Sequence, residues 1–569
     1  MRILFLTHAY NSLTQRLHAE LSRLGHEISV EFDINDSVTT EAVDLFRPHL
    51  ILAPYLRRAI PEAIWKNHLC LVLHPGIVGD RGPSALDWAI LNGEQAWGVT
   101  LLQAEAEMDA GPVWASETFP LRAAKKSSLY RNEVTEAAVW VVKTALERLP
   151  DYRAGSWQPS PVPLRPMHAL MQQADRAVDW ERDSTDVVMA KLNAADGFPG
   201  VKDELLGHPC HLFNAQAFPA RGKPGVVLGR SGEAVVRATM DGAVRIGHVK
   251  RGDSALPIKL PATVAFPEIL ELADLGAGRN PDIRYEEADG VGFLHFDFYN
   301  GAMGTDACRR LLAAYEAARL RPTRVIVLMG GPDFFSNGLD LNRIEAAESP
   351  ADESWRNIEA MDDLGRAMIE TGSHHTIAAL QGNAGAGGAF LALAADWVWA
   401  REGVILNPHY KNMGNLYGSE YWTYLLPRRV GVEAAQRIMQ QRLPLGTREA
   451  VATGFIDACF GGDGASFRAE VRQRASALAA SPELADLLKE KRAGRAADEA
   501  TKPLDRYRAE ELARMKRNFY GFDPSYHVAR HHFVHKTPHS WTPRHLARHR
   551  DLGWQAPGQD CQPNPAIEP

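Results

Sequence analysis

Apolar and polar positions along the first 120 residues switch repeatedly between two periods. Ile3–Leu6 is a short apolar run of the kind a buried strand shows, and Leu13, Leu17, Leu21 and Leu24 then recur at helical spacing before Gly25, a natural C-terminal cap. Ile28, Val30 and Phe32 alternate with polar residues, predicting a second strand. Further strands fall at Leu50–Ala53, Cys70–Leu73 and Val99–Leu102, and a helix over Ser84 to Asn92 stops at Gly93. This βαβα order predicts an open, mostly parallel α/β sheet with helices on both faces, in which ligands bind at the carboxyl ends of the strands.

After this first unit, residues 1–155, the texture changes. Ser156 to Pro166 holds four prolines in eleven residues, so 156–169 reads as an extended linker. Two β-rich runs joined through Asp241-Gly242 between Val235 and Ile246 predict a hairpin, and a small β-rich domain fits 170–265. A third unit, 283–485, opens near Ile283, with strands at Val291–Phe296 and Arg324–Leu328 and a Gly/Ala-rich stretch, Gly382 to Gly388, leading into an apolar helix. Residues 486–569 form a charged, His-rich helical tail, and no internal repeat is present.

Length supports this division, since 569 residues correspond to three or four domains of about 150. With 63 Lys+Arg against 70 Asp+Glu, the net charge of −7 excludes an overall basic surface for nucleic acid. Five scattered cysteines, Cys70, Cys210, Cys308, Cys459 and Cys561, spell neither a disulfide framework nor a CxxC metal site. Four apolar residues after Met1-Arg2 are too few for a signal-peptide core, and the densest apolar stretch, Ala389 to Ala400, is interrupted by Asp396. A soluble, cytoplasmic protein with no membrane partner is expected.

The first chemical constellation lies at Leu71-Val72-Leu73-His74-Pro75-Gly76, where a histidine directly follows a buried strand, and Asp109-Ala110-Gly111 follows 35 residues later. An imidazole and a carboxylate on separate loops can form a base and its orienting acid, although capping and turn residues share this pattern. His74-Pro-Gly, Arg81-Gly-Pro, Asn92-Gly, Gly98-Val-Thr and Asp109-x-Gly, with Tyr55 and Pro61 before them, resemble the 10-formyltetrahydrofolate-dependent formyltransferases. The resemblance continues through Asp179-Trp180 and Asp196-Gly-Phe-Pro199-Gly200 into an OB-like second domain. It implies that His74 and Asp109 catalyse formyl transfer, with Tyr55 and Arg81 toward the folate. Gln15 and Arg131 supply polar contacts to folate or acceptor, or else are solvated helix residues. The family's oxyanion-stabilising Asn position is Val72 here, which carries no donor.

The second constellation runs from Phe335-Ser-Asn-Gly338-Leu339-Asp340 to Gly385-Ala-Gly387-Gly388. A glycine-rich turn entering a helix exposes backbone N–H groups where an oxyanion can sit, although close helix packing or a dinucleotide loop also uses such turns. With Asp396 and Arg428-Arg-Val-Gly431, these strings resemble the enoyl-CoA hydratase/isomerase (crotonase) family. That resemblance implies that the amides of Leu339 and Gly387 hold a coenzyme A thioester oxygen. The hydratase glutamate positions carry Phe390 and Tyr410, so water addition by paired carboxylates is not expected. Tyr410 and Glu420 are the candidate catalytic groups, against a reading in which each makes only an interface or core hydrogen bond.

Joined on one chain, the two units resemble the HypX/HoxX family of hydrogenase maturation factors, through Thr7 to Arg16, His74 to Ser84 and Tyr417 to Trp422. The resemblance implies formyl transfer from 10-formyltetrahydrofolate to coenzyme A and decarbonylation of formyl-CoA. The carbon monoxide would become a ligand of a NiFe hydrogenase, whose large subunit or other maturation proteins would be partners. Sequestering formyl-CoA between the two sites would limit its hydrolysis, so a cavity connecting the domains is expected. A degenerate folate- and CoA-binding scaffold, or an amine formyltransferase beside an independent crotonase-like enzyme, are the alternatives. Seven histidines, His527, His531, His532, His535, His539, His545 and His549, invite a metal reading, but the spacing shows no carboxylate companion and arginines intervene. No metal is expected there, and the tail reads as solvated and basic or as a lid contacting CoA phosphates.

Overall fold

The computed structural model describes residues 1–161, 165–276, 278, 281–551 and 553–554; Cys561 lies outside the described residues. The first domain is built on β1 (Arg2–Thr7), β2 (Glu27–Phe32), β3 (Leu50–Tyr55), β4 (Cys70–His74), β5 (Ala96–Gln103) and β6 (Val113–Pro120), in the order β2-β1-β3-β4-β5-β6. The four strands from β2 to β4 pair in parallel, whereas β4–β5 and β5–β6 are antiparallel. The sheet is therefore mostly parallel, with two antiparallel strands added at one edge. Helices Ser12–Arg23 and Thr135–Ala154 pack on one face, and Asp36–Phe46 covers the other.

Alternation in β2 would leave Ser29 and Glu31 facing water, yet both are fully buried. The C-terminal segment covers them. His549 is hydrogen-bonded through Nδ1 to Ser29 Oγ (2.7 Å) and through Nε2 to Glu31 Oε2 (2.9 Å), and Glu31 also accepts from Thr542 and Arg550. Val30 N donates to Leu546 O, and the Trp554 ring stacks on Phe46. An edge strand that would otherwise offer free backbone groups is thus closed by the chain's own end. From Leu504 onward the described tail is anchored to the other domains rather than freely solvated. Its helices Leu504–Tyr520 and Ser525–His535 send Met515, Phe519 and Tyr526 into the core of the third domain, and the residues after them form a strap back to the first.

Burial raises the Glu31 carboxyl, but hydrogen bonds from His549, Thr542 and Arg550 outweigh it and hold the group below the usual value. Its stabilising contribution is therefore present above the ordinary glutamate pKa and is lost as pH falls through the lowered one. His549→Ala strands Glu31 without its imidazole partner. The expected cost is about 1–3 kcal/mol, read as faster tryptic cleavage of the strap around Arg544 and Arg548.

The second domain is an antiparallel sheet of β7 (Val201–Leu205), β8 (His208–Phe218), β9 (Val227–Ser231), β10 (Ala234–Ala238), β11 (Ala243–Arg251) and β12 (Lys259–Pro261). Its order is β7-β8-β11-β10-β9 with β12 on β11, closed over Trp180, Val188 and Phe266.

The third domain has two sheets. The larger orders β13 (Ile283–Ala288), β14 (Val291–Phe296), β15 (Val325–Met329), β17 (His375–Leu380), β19 (Trp397–Arg401) and β22 (Ala458–Phe460). The smaller orders β16 (Phe334–Ser336), β18 (Asn383–Gly385), β20 (Ile405–Asn407) and β21 (Leu445–Gly446). Three times in succession a long apolar strand is followed by a short one in the second sheet, so the loops after β16 and β18 come side by side. Among the described residues no helix is long and apolar enough to cross a membrane.

Candidate active sites

The β4 strand ends at His74 and delivers its ring to the carboxyl edge of the first sheet. His74 Nε2 lies 2.7 Å from Asp80 Oδ2, and Nδ1 lies 3.6 Å from Asp109 Oδ2. Asp109 takes a left-handed backbone (φ 52°) and accepts from Gly82 N at 3.0 Å. Gly76 is required for this fold-back, since a Cβ there would lie 2.3 Å from His74 Nε2 and 2.4 Å from Asp80 Oδ2. With a proton of Nε2 held on Asp80, the Nδ1 edge facing Asp109 can exchange a proton with a reacting group.

Asp80 is a group the sequence reasoning passed over, although it sits six residues after His74 in the same loop. It also pairs with His168 Nε2 at 3.1 Å, and His168 belongs to the linker, for which no sequence signal existed. Arg165 N and His168 N donate to Gly79 O and Arg81 O, so the linker lies over this loop. The Arg81 guanidinium is engaged by Glu107 (2.7 Å) and Met108 O, which anchors the Asp109 loop. Tyr55 ends β3, accepts from Arg57, and has its ring edge-on to those of His8 and Tyr130. Val72, on the same strand face as His74, is half-buried and donates nothing.

In the third domain the glycine run is dictated by crowding. A Cβ on Gly388 would lie 2.2 Å from Ser336 O, one on Gly338 (φ 79°) 3.2 Å from Gly387 N, and one on Gly387 2.2 Å from Glu420 Oε1. The Leu339 and Gly387 loops therefore meet directly beside the Glu420 carboxyl. Neither the Leu339 nor the Gly387 N–H donates to another group among the described residues. Two amides that donate to no described group, one opening the Gly387–Leu393 helix and the other on the adjoining Gly338–Leu339 loop, are donors of the kind that can hold an oxyanion.

Tyr410 Oη donates to Glu420 Oε2 at 2.5 Å, and both side chains are buried. Phe390, where a hydratase has its glutamate, stacks on the Tyr410 ring (centroids 5.2 Å apart, 17°). Glu420 and Tyr421 are both left-handed (φ 58° each), a conformation non-glycine residues adopt at a cost. Two buried carboxylates pin that turn. Asp362, on helix Pro350–Ile369, accepts from Glu420 N and Ser419 Oγ (2.8 Å each); Glu511, on helix Leu504–Tyr520, accepts from Tyr421 N (3.0 Å), Thr423 N (2.8 Å) and Thr423 Oγ1 (2.5 Å). Glu511 thus caps in trans a helix, Trp422–Val430, whose own N-cap residue supplies no side-chain bond.

Burial, followed by the charge of Asp362, pushes the Glu420 carboxyl up to about 8; burial raises Asp362 to about 6 and Glu511 to about 8. Burial and then the Glu420 charge raise the Tyr410 phenol well above its ordinary value. Sequence reasoning missed Asp362 and Glu511. Their one signal was position: each falls on the apolar stripe of its helix, between Ile358 and Gly365 and between Leu504 and Met515.

Gln15 and Arg131 are not solvated helix residues. Gln15 Oε1 accepts from Asn407 Nδ2 (2.9 Å), and Arg131 lies 3.5 Å from Asp333 and over the Phe334 ring, so both join the first domain to the third. A small polar pocket there is lined by Ser12, Arg16, Arg131, Asn383 and Arg401, and it includes neither His74 nor Gly387. A second junction gathers cations. Lys259 Nζ contacts Gly197 O (3.0 Å) and Tyr299 Oη (3.3 Å), and Lys125 Nζ contacts Asn214 Oδ1 (2.5 Å), all neutral oxygens. Burial lowers Lys259 to about 8, with Lys536 and Arg131 adding to the effect against the opposing charge of Asp196.

The formyl transferase family matches residues 5–146, and the enoyl-CoA hydratase/isomerase family matches residues 299–543. The chain is 54% identical over 568 residues to the hydrogenase maturation factor HoxX of Bradyrhizobium diazoefficiens, covering 98% of this chain and 99% of that protein. It is 27% identical over 199 residues to methionyl-tRNA formyltransferase of Ruegeria pomeroyi, 34% of this chain and 64% of that protein. Among solved structures, HypX from Aquifex aeolicus in complex with tetrahydrofolic acid superposes with a TM-score of 0.94 at 48% identity, covering 98% of this chain and all of that one.

Proposed function

The chain belongs to the HypX/HoxX family of hydrogenase maturation factors, and from that premise we propose that it makes carbon monoxide in two steps from 10-formyltetrahydrofolate and coenzyme A. Its formyltransferase and enoyl-CoA hydratase-like domains support an enzyme. The observation that carries the reading is the second site: a buried carboxyl, Glu420, set against two amides that donate to no described group, with an aromatic ring where the second carboxylate of a hydratase would stand.

In the first step His74 takes the thiol proton of coenzyme A as the sulfur attacks the formyl carbon, the carbon–nitrogen bond breaks, and His74 passes that proton to the folate nitrogen. Asp80 fixes the imidazole on one side while Asp109 faces the other. In the second, the amides of Leu339 and Gly387 hold the thioester oxygen, Glu420 takes the formyl proton, and the carbon–sulfur bond breaks. Carbon monoxide leaves, and the thiolate recovers the proton from Glu420. Proton uptake and return balance, so one carboxyl suffices. The cations at Lys125 and Lys259, bonded only to neutral oxygens, suit the phosphates of coenzyme A. The product is destined for a NiFe hydrogenase, in keeping with the role named for the relatives.

Purified protein given 10-formyltetrahydrofolate and coenzyme A, with deoxyhaemoglobin as the trap, tests this directly. Coenzyme A-dependent carboxyhaemoglobin is the expected result. Absence of both carbon monoxide and formyl-CoA sinks the proposal, leaving a scaffold; formylation of an added amine without coenzyme A turns the first domain into a separate transferase.

Because the base must be ionised, carbon monoxide release from formyl-CoA is expected to rise with pH through about 8, the value to which burial and Asp362 push Glu420. Asp362→Asn removes the like charge but keeps an oxygen for Glu420 N, so the rising limb should move to lower pH. A pH–rate profile with an unmoved limb rejects Glu420 as the titrating base.

A further inference from the structure

The sequence offered the C-terminal histidines no carboxylate partner, and tertiary structure brings one from 186 residues away. His531 and His535 stand one turn apart on helix Ser525–His535, and both turn toward Glu345 of helix Leu341–Ala346. Glu345 Oε1 lies 2.8 Å from His531 Nδ1 and 3.3 Å from His535 Nε2, the three donor atoms all fall within 4.8 Å of one another, and the two imidazole centroids are 4.2 Å apart. Ligand atoms bound at 2.0–2.1 Å to one tetrahedral ion stand about 3.3 Å apart.

The other carboxylate oxygen is already taken. Arg530 Nε donates to Oε2 at 2.6 Å, and the same guanidinium donates through Nη1 to His527 Nδ1. Arg530 is buried, so it fixes the carboxylate rotamer and turns Oε1 alone toward the imidazoles. Two rings converging on a single oxygen whose charge is already paired is more than an ion pair needs. It is what a His-His-carboxylate metal face requires, with the partner on the second oxygen acting as the outer group that orients the ligand. Glu345 and His535 are nearly enclosed, whereas His531 is about half exposed, which leaves an entry path and room for a solvent ligand.

We propose that Glu345, His531 and His535 form a binding site for a divalent transition metal of the zinc class, open at its fourth position. Glu345 lies five residues beyond Asp340, which follows the Leu339 amide, and His535 immediately precedes the strap that closes β2. The ion therefore pins the root of the strap to the helix that follows the thioester-holding loop. Neutral nitrogen donors take up the ion while Arg530 remains on Oε2. Its positive charge makes the affinity lower than that of a cysteine-ligated structural zinc site.

The test uses the full chain, stripped with a chelator and titrated with zinc chloride by calorimetry, with bound metal measured after desalting. The expected result is one zinc per chain, abolished in His531→Ala/His535→Ala and retained in His532→Ala, which alters an exposed neighbour. Single replacement of the half-exposed His531, which leaves the core untouched but removes one of three ligands, should weaken binding by at least the about 10–100-fold that loss of an outer hydrogen-bonding partner costs. Cobalt(II) should give the visible spectrum of a low-coordinate nitrogen and oxygen site in wild type only. Zinc should also slow tryptic cleavage of the strap in wild type and not in the double variant. Equal zinc in wild type and the double variant, or none in wild type, overturns the proposal whether or not the protein makes carbon monoxide.

Discussion

Glu420→Gln is expected to lower carbon monoxide release by about 10²–10⁴ while leaving formyl-CoA formation from 10-formyltetrahydrofolate near its original rate. Glutamine keeps the size of the side chain and an oxygen for the Tyr410 hydroxyl and Ser419 N, so the turn held by Asp362 and Glu511 should persist. What it removes is the ionisable group that, among the described residues, lies nearest the Gly387 Cβ position beside the two amides. Formyl-CoA should then accumulate and hydrolyse to formate, which separates loss of the base from loss of substrate binding. A variant that still releases carbon monoxide at full rate removes Glu420 from the chemistry and points to the Tyr410 phenol.

The complementary result is expected for His74→Asn. Formyl transfer should fall by about 10²–10³, because the side chain that meets Asp80 on one edge and Asp109 on the other no longer moves a proton. Formyl-CoA supplied from outside should still be decarbonylated, since the second site draws no side chain from the first. Asparagine can still donate to Asp80, which limits the penalty of an unpaired buried carboxylate. If His74→Asn and Glu420→Gln fail at the same step, the two-site scheme is wrong. The pair of variants, assayed with both substrates, locates each half-reaction on its own domain.

Much of this architecture was written in local pattern. Apolar runs such as Val325–Leu328 become strands because a backbone with both faces covered must carry apolar side chains on both, and Asp241-Gly242 makes its hairpin turn through local backbone preference. The His74 and Asp109 loops, and the glycines that let Leu339 and Gly387 approach, were legible because catalytic loops follow strand ends and close backbone contact excludes a Cβ. Even the odd chemistry, Val72 without a donor and Phe390 without a charge, could be read before any fold was known.

Long-range approach decided the rest. Asp362 and Glu511 lie 58 and 90 residues from the backbone groups they hold in the Glu420 turn, so no spacing rule connects them, and only their misplacement on apolar helix faces betrayed them. His168 reaches Asp80 only because the linker is laid over the first site. Glu345 meets His531, and Glu31 meets His549 across 518 residues, through contacts between elements that share no periodicity. The sequence by itself determined the main apolar strands and the glycine-rich turn, because local sterics and burial act within a few residues, whereas the Leu339 and Gly387 amides were named only through the family resemblance. Tertiary structure alone decided which distant charges are buried beside them, because the cost of burying a charge is offset only by a partner that folding brings from elsewhere.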